Sequence, residues 1–429
     1  MQVSLSLALR LLKEDRYSTM CERKEPDNPA PGTFSTFSER VYFTFLTKLI
    51  NAFFKVGNLT ISFKDLPSMK LGDGSGEAFL LHFRDKSDLV RMLYKPSLNI
   101  GEVFMDGGWS LEQGDLGRFM GVLLENEELM EEGLVFRTFD KFSSLIGHTL
   151  TVNSIKQSHQ NVQHHYDIGN DLYKSFLDEK MLYSCAFFDD NTKTLEDAQD
   201  NKISTTLSRL NVSSGMAVLE IGCGWGAMSK AIADTGANAT GITLSQEQLA
   251  YANQHNKEQN STFLLEDYRD HAQNNPESYD RIVSIGMFEH VGRRHYQDFF
   301  DAIKNLLKPG GRAVIHSIVK DSTTQTNPWL RKYIFPGGQA PRILDMTEAA
   351  LASGLKLPHA PYEHAGFNYA ETLRHWRKRF IESWPELSKN GYDERFKRMW
   401  LFYLAGSEAS FEALGTRVAQ VIVEKPLSS

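Results

Sequence analysis

The run richest in chemistry is Val218-Leu219-Glu220-Ile221-Gly222-Cys223-Gly224-Trp225-Gly226. An apolar strand ends there in acid-X-Gly-X-Gly-X-Gly and a helical pattern follows. Glycines in that place permit a tight turn and close approach of the backbone to a ligand. A dinucleotide fingerprint would read Gly-X-Gly-X-X-Gly and set a pyrophosphate on the helix N-terminus. In this chain the third glycine comes one residue early, and Glu220 precedes the loop. A carboxylate repels a pyrophosphate but suits a ligand that carries an ammonium and a sulfonium. That ligand is S-adenosylmethionine. A bare strand-to-helix turn would use the same glycines, so the loop needs support from elsewhere.

Support comes from two later segments, Gly241-Ile242-Thr243-Leu244-Ser245-Gln246-Glu247-Gln248 and Glu266-Asp267-Tyr268-Arg269-Asp270. Each follows a predicted strand, at the carboxyl ends where doubly wound sheets bind ligands. Many methyltransferases hold the ribose with an acid at the end of the second strand. Thr243-Leu244-Ser245 stands there instead, so Gln248 or Ser245 takes that task.

The elements that must position these residues alternate. Strands are predicted at Met216–Ile221, Asn238–Thr243, Thr262–Leu265, Asp280–Ile285 and Arg312–Ile318, with helical patterns between most of them. Pro309-Gly310-Gly311 reads as the turn before the last. Alternation of this kind predicts an α/β fold, a parallel sheet covered by helices. Two amphipathic helices lie between Tyr369 and Leu414, and a further strand at Thr416–Val423. Upstream, an aromatic helix is expected over Ser38–Lys55, strands at Leu59–Phe63 and Ala78–Phe83, and a helix at Lys86–Lys95. The expected organisation is an extension and linker at 1–36, a small α+β domain at 37–139, a connector at 140–160 and a methyltransferase domain at 161–429.

Four more segments carry a resemblance: His165-Tyr166-Asp167-Ile168-Gly169-Asn170, Tyr183-Ser184-Cys185-Ala186-Phe187-Phe188, Gly286-Met287-Phe288-Glu289-His290-Val291-Gly292 and Asn368-Tyr369-Ala370-Glu371-Thr372-Leu373. With the glycine loop, they resemble the cyclopropane-fatty-acyl-phospholipid synthases and the related mycolic acid cyclopropane synthases. The likeness runs from about residue 160 to the C-terminus. It is weaker over 57–125, where Gly101-Glu102-Val103-Phe104-Met105-Asp106-Gly107-Gly108-Trp109 is similar to the family's lipid-binding domain.

The resemblance implies a doubly wound class I methyltransferase (Rossmann-like) domain preceded by a small α+β lipid-binding domain. It implies an enzyme that methylates a cis double bond in a phospholipid acyl chain with S-adenosylmethionine and closes a cyclopropane ring. An alkene attacking a sulfonium methyl needs alignment and a dry pocket, not a base. Aromatic faces can steady the resulting cation. A base must then take a proton from the transferred methyl, and in the family it is a bound bicarbonate. Its implied holders are Cys185, Glu289, His316, Ile318 and Tyr369, the cysteine and isoleucine through backbone groups. The cofactor would meet Tyr183 and Ser184 at its methionine end and Glu220, Gly222, Gly224 and Gly226 beneath. Thr243, Leu244, Ser245 and Gln248 would frame the ribose and adenine, with Asp267, Tyr268 and Arg269 at the adenine edge. Ser407 replaces a cysteine found in some relatives, which argues against a thiol nucleophile. The rival endings are a methyl-branched chain, a small-molecule N-methyltransferase and a non-catalytic lipid carrier.

Composition narrows the remaining classes. In 429 residues, Lys plus Arg number 47 and Asp plus Glu 54, a formal charge of −7. A global basic field is absent, which argues against nucleic acid as a partner. Cys21, Cys185 and Cys223 form no CxxC, and no HExxH occurs, so neither a metal site nor a disulfide framework is expected. Residues 1–12 look faintly like a signal peptide but lack a basic start, and no run of about 20 apolar residues exists. The expected location is cytoplasmic, peripheral to the inner membrane surface; a homodimer stays open. The apolar helix near Val41–Phe54 reads either as a membrane-inserting face or as a core face. The basic stretches Leu373–Phe380 and Arg395–Trp400 read either as headgroup contacts or as solvated helix faces.

Overall fold

The computed structural model describes residues 54–131, 169–190, 192–322 and 326–427, and 41–51 in part. The expectations for 1–36, for the connector, and for all of the His165 motif except Gly169 and Asn170 lie outside them.

The first sheet holds β1 (Asn58–Phe63), β2 (Met69–Leu71), β3 (Ala78–Phe83) and β4 (Trp109–Gln113) in the order β2-β1-β3-β4. β3 shows why it is a strand: Phe79, Leu81 and Phe83 alternate into the core. The helices α1 (Lys86–Tyr94), α2 (Pro96–Met105) and α3 (Leu116–Glu131) follow around it. Asp85 caps α1 by accepting from the Ser87 amide at 2.6 Å. Pro96 opens α2, where a missing N–H costs nothing.

The second sheet has β5 (Ala217–Ile221), β6 (Asn238–Thr243), β7 (Ser261–Leu265), β8 (Tyr279–Ile285), β9 (Leu307–Val319), β10 (Tyr362–His364) and β11 (Arg417–Glu424). Its order is β10-β11-β9-β8-β5-β6-β7. β5 to β9 are parallel, while β11 and β10 run antiparallel to their neighbours. Four of the predicted parallel strands fall within a residue of their observed bounds. The fifth is longer than expected. Pro309-Gly310-Gly311 lies inside β9 rather than before it, at a register shift between Tyr279↔Leu307 and Arg281↔Arg312. A bulge accommodates a proline that has no N–H to give the ladder.

The helices of this half are α4 (Asn170–Phe176), α5 (Leu195–Leu210), α6 (Ala227–Asp234), α7 (Gln246–His255), α8 (Tyr268–Asn274), α9 (Tyr296–Leu306), α10 (Pro328–Tyr333), α11 (Ile343–Ala352), α12 (Gly366–Leu387) and α13 (Glu394–Ala413). The strand order reverses between β5 and β8, which opens a crevice at their carboxyl ends.

One apolar core joins the two sheets' halves. It runs from Phe83, Phe104, Trp109 and Phe119 to Trp329, Trp376, Trp400 and Phe402. α13 packs against both α2 and α3. Gly101 marks the closest approach: a Cβ there would stand 2.5 Å from Trp329 Nε1 and 2.8 Å from the Phe402 ring. Phe43, Leu46 and Ile50 of the N-terminal helix are buried in the same core, which favours the core-face reading for them. Tyr42, Phe45, Leu49 and Phe53 lie outside the described residues. The arginines of the first basic stretch are engaged in ion pairs. Arg374 meets Glu371, Glu408 and Glu412, Arg377 meets Asp115 and Glu408, and Arg379 meets Glu196. In the second, Arg395 pairs with Asp106 and Lys397 with Glu394. Among the described residues no helix is long and apolar enough to cross a membrane.

Candidate active site

The crevice at the ends of β5, β6 and β8 is a cavity. Tyr183, Ser184, Glu220, Gly222, Gly224, Thr243, Leu244, Gln248, Asp267, Tyr268 and Arg269 all line it. These residues come from separate parts of the chain, and the sheet brings them to one edge. The glycine loop is held against β6, since the Gly222 and Cys223 amides both donate to the Ile242 carbonyl, at 2.9 and 3.0 Å. Gly224 has φ +53°, and a Cβ on it would touch no protein atom within 4 Å. The space above it belongs to the cavity.

Glu220 is 4% exposed, and its Oε2 accepts from the Ser229 hydroxyl at 2.5 Å. Burial raises its pKa to about 8. A cationic ligand group beside it would restore the carboxylate. At the second strand, Thr243 Oγ1 and Gln248 Oε1 hydrogen-bond at 2.8 Å. Thr243 Oγ1 also accepts from the Ser245 amide, so its own proton goes to Gln248. That leaves the Gln248 amide N–H groups for a ligand. Asp267 caps α8 and accepts from Arg269 three times, at its amide, Nε and Nη2.

Two predicted cofactor residues do not reach the cavity. Ser245 is fully buried and caps α7, accepting from the Gln248 amide at 3.2 Å. Gly226 caps α6, where a Cβ would meet the Phe263 ring at 2.8 Å. Both serve the local turn, because each is the residue that caps the helix after its strand, where the chain already turns away.

Sequence reading missed other walls, among them Met181, Trp225, Glu266, Met287, His290 and Pro336. Trp225 lay inside the quoted loop; its Nε1 donates to Asn170 Oδ1 at 2.7 Å. More telling is α5, which no motif marked. Gln199, Lys202, Thr206 and Arg209 recur every three or four residues and form a polar stripe, the first three fully buried. Gln199 Nε2 donates to the carbonyls of Leu182 and Ser184. Lys202 Nζ donates to Ser184 Oγ at 2.6 Å, and burial lowers its pKa to about 8. A helical period in buried polar residues was the signal that would have found them.

None of the five residues assigned to the anion lines this cavity. Glu289, on a short 3-10 turn after β8, is 8% exposed. Its Oε1 accepts from the Ile318 amide at 2.7 Å, while Oε2 is buried with no hydrogen-bond partner. Burial pushes its pKa up to about 7. His316, on β9, is 2% exposed; burial and the positive charges of Lys202, His364 and Arg209 hold it far below the usual imidazole range. Burial raises the Cys185 thiol to about 12, so it stays protonated. Tyr369 begins α12 and packs on Phe411 and Trp376. The structure ties Glu289 directly to Ile318. The Lys202 charge acts on both Cys185 and His316. Tyr369 reaches the cavity wall through Trp376, whose ring lies 5.1 Å from that of Tyr183.

Residues 153–421 match the model of the family described as mycolic acid cyclopropane synthetase. The chain belongs to this family. It is 35% identical over 342 residues to the cyclopropane-fatty-acyl-phospholipid synthase of Escherichia coli (strain K12), covering 78% of this chain and 85% of that one. It is also 35% identical over 376 residues to the tuberculostearic acid methyltransferase UfaA1 of Mycobacterium tuberculosis, covering 83% and 85%. Among solved structures it resembles the mycolic acid cyclopropane synthase CmaA1 complexed with SAH and CTAB, at TM-score 0.56 and 31% identity, over 62% of this chain and 98% of that one. The fold is that of the class I S-adenosylmethionine-dependent methyltransferases.

Proposed function

We propose that this chain transfers a methylene group from S-adenosylmethionine to the cis double bond of unsaturated phospholipid acyl chains, forming a cyclopropane. The observation that carries the reading is the buried Glu289–Ile318 pair beside a cavity floored by Glu220 and the glycine loop. The methyl donor supplies an electrophilic methyl. Glu220 would hold its ammonium, Gln248 its ribose and the Asp267–Arg269 pair its adenine edge. The rings of Tyr183 and Trp225 line the cavity and pack with Tyr173 and Trp376. Those faces would steady positive charge on the acyl chain and keep water out.

For the final proton, Glu289 is poised near neutrality, which suits a group that must both take and release a proton. Bicarbonate remains part of the proposal, seated among Cys185, Glu289, His316, Ile318 and Tyr369. The Ile318 amide already donates to Glu289. An entering anion therefore shares or displaces Glu289 Oε1, and without one Glu289 is itself the base. The lipid substrate places the working enzyme against the cytoplasmic face of a membrane. With the α12 arginines ion-paired, they are less free to meet headgroup charge.

Equal identity to UfaA1 supports a second ending, a methyl-branched chain. Mass spectrometry of lipids incubated with labelled S-adenosylmethionine separates the two. A gain of one CH2 that resists hydrogenation is a ring; a gain of one CH2 that takes up hydrogen is a branched alkene and a gain of CH4 is a saturated branch, and both are the rival. Running the assay in carbonate-free buffer, with and without added bicarbonate, tests the anion. Full speed without bicarbonate assigns the base to Glu289.

A further inference from the structure

We propose that Gln420, oriented by Arg209, fixes His316 in the tautomer protonated at Nε2, making it a hydrogen-bond donor and not the base. The consequence for turnover rests on the reading of His316 as part of the reacting centre. β11 runs antiparallel beside β9, and Gln420 is the residue directly opposite His316. Directly paired residues of neighbouring strands share a face. Thr206 and Arg209 of the α5 stripe meet Gln420 there.

The amide orientation follows from chemistry. Arg209 Nη1 lies 2.5 Å from one terminal atom of the Gln420 side chain. A guanidinium has only donors, so that atom is the oxygen. The Gln420 NH2 then lies 3.0 Å from Thr206 Oγ1 and 3.3 Å from His316 Nδ1. The Thr206 hydroxyl spends its own proton on the Lys202 carbonyl at 2.7 Å, so it accepts from Gln420. Facing a donor, His316 Nδ1 must present a lone pair. A neutral imidazole then carries its proton on Nε2.

The surroundings also oppose a second proton. Lys202 and Arg209 place positive charge near His316, and the ring is buried. His364 is fixed by the same arginine, which donates to its Nε2 at 3.0 Å, and Phe187 stacks on both imidazoles. Nε2 of His316 cannot receive the proton from the transferred methyl unless the ring changes tautomer. That change would set a ring N–H against the Gln420 N–H.

Nitrogen NMR of the full-length protein labelled in histidine tests this. The His316 Nε2 signal should lie in the range of a protonated nitrogen and Nδ1 in that of a lone pair. In Gln420→Glu the new carboxylate accepts from Nδ1, and the two signals should exchange. Turnover should then fall about a hundredfold, the usual effect of losing one donor to developing charge, with cofactor affinity by calorimetry held. Arg209→Met should give a mixture of tautomers, and Arg209→Lys should restore one. A wild-type His316 protonated at Nδ1 overturns the proposal, whether or not the variants fold. So does a Gln420→Glu protein that folds and keeps the wild-type signals. If the signals exchange and turnover does not change, the tautomer assignment holds and the placement of His316 at the reacting centre fails.

Discussion

Burial reshapes the acids and bases of this site more than their neighbours do. Glu220 and Glu289 both titrate near neutrality because desolvation penalises their charged forms. A raised carboxyl pKa makes stability fall as pH rises. Below the unfolded pKa, near 4.5, Glu289 is protonated in both states and its contribution is fully present. As pH rises through about 7, the folded state must give up a proton it held tightly, and that stability is lost. Glu289→Gln removes the term. Denaturant titrations from about pH 5 to about pH 8 should show the variant losing roughly 2 kcal/mol less stability than wild type. Equal slopes for the two proteins would mean that Glu289 is not proton-bound at neutral pH.

Two C-terminal helices serve as the bracket of the molecule. α12 presents Arg377 between Asp115 at the start of α3 and Glu408 on α13, with contacts of 2.9 to 3.1 Å. The Glu408 side chain is 2% exposed, so its charge depends on those partners. Removing one partner of a buried pair costs more than the pair itself contributes. Arg377→Leu should therefore lower stability by about 3 kcal/mol, with Arg374 still beside Glu408. Adding Glu408→Gln to that variant should recover part of the loss, because the uncompensated charge is gone. No recovery in chemical denaturation would show that packing of the arginine stem, and not charge, holds the helices.

At the scale of the whole chain, the shared core makes the two sheets' halves interdependent. Trp329 lies against α2 and donates to Met105 Sδ, and Gly101 leaves room for it. Wild type should melt in a single calorimetric transition. Gly101→Leu drives a side chain into Trp329 and Phe402, undocks α2 from α10 and α13, and should split the melt in two. A single transition at an unchanged temperature in that variant would mean that the seam is soft enough to absorb the clash.

Local motifs were legible in the sequence because their meaning is local. The run Val218 to Gly226 specifies a strand, a left-handed turn and a helix start within nine residues of chain, and the five parallel strands follow from the same alternation. The aromatic and basic stretches were ambiguous for the opposite reason. Whether Arg377 meets a headgroup or Asp115 depends on what lies 262 positions away in the chain. Gln420 reads from sequence as one polar residue in an apolar strand. Its role exists only because antiparallel pairing sets it across from His316 and α5 brings Arg209 to its side-chain oxygen. Backbone conformation is decided by neighbours in the chain. The charge of a buried carboxylate, or the tautomer of a histidine, is decided by which distant groups desolvate and bond it, and only the tertiary structure chose those.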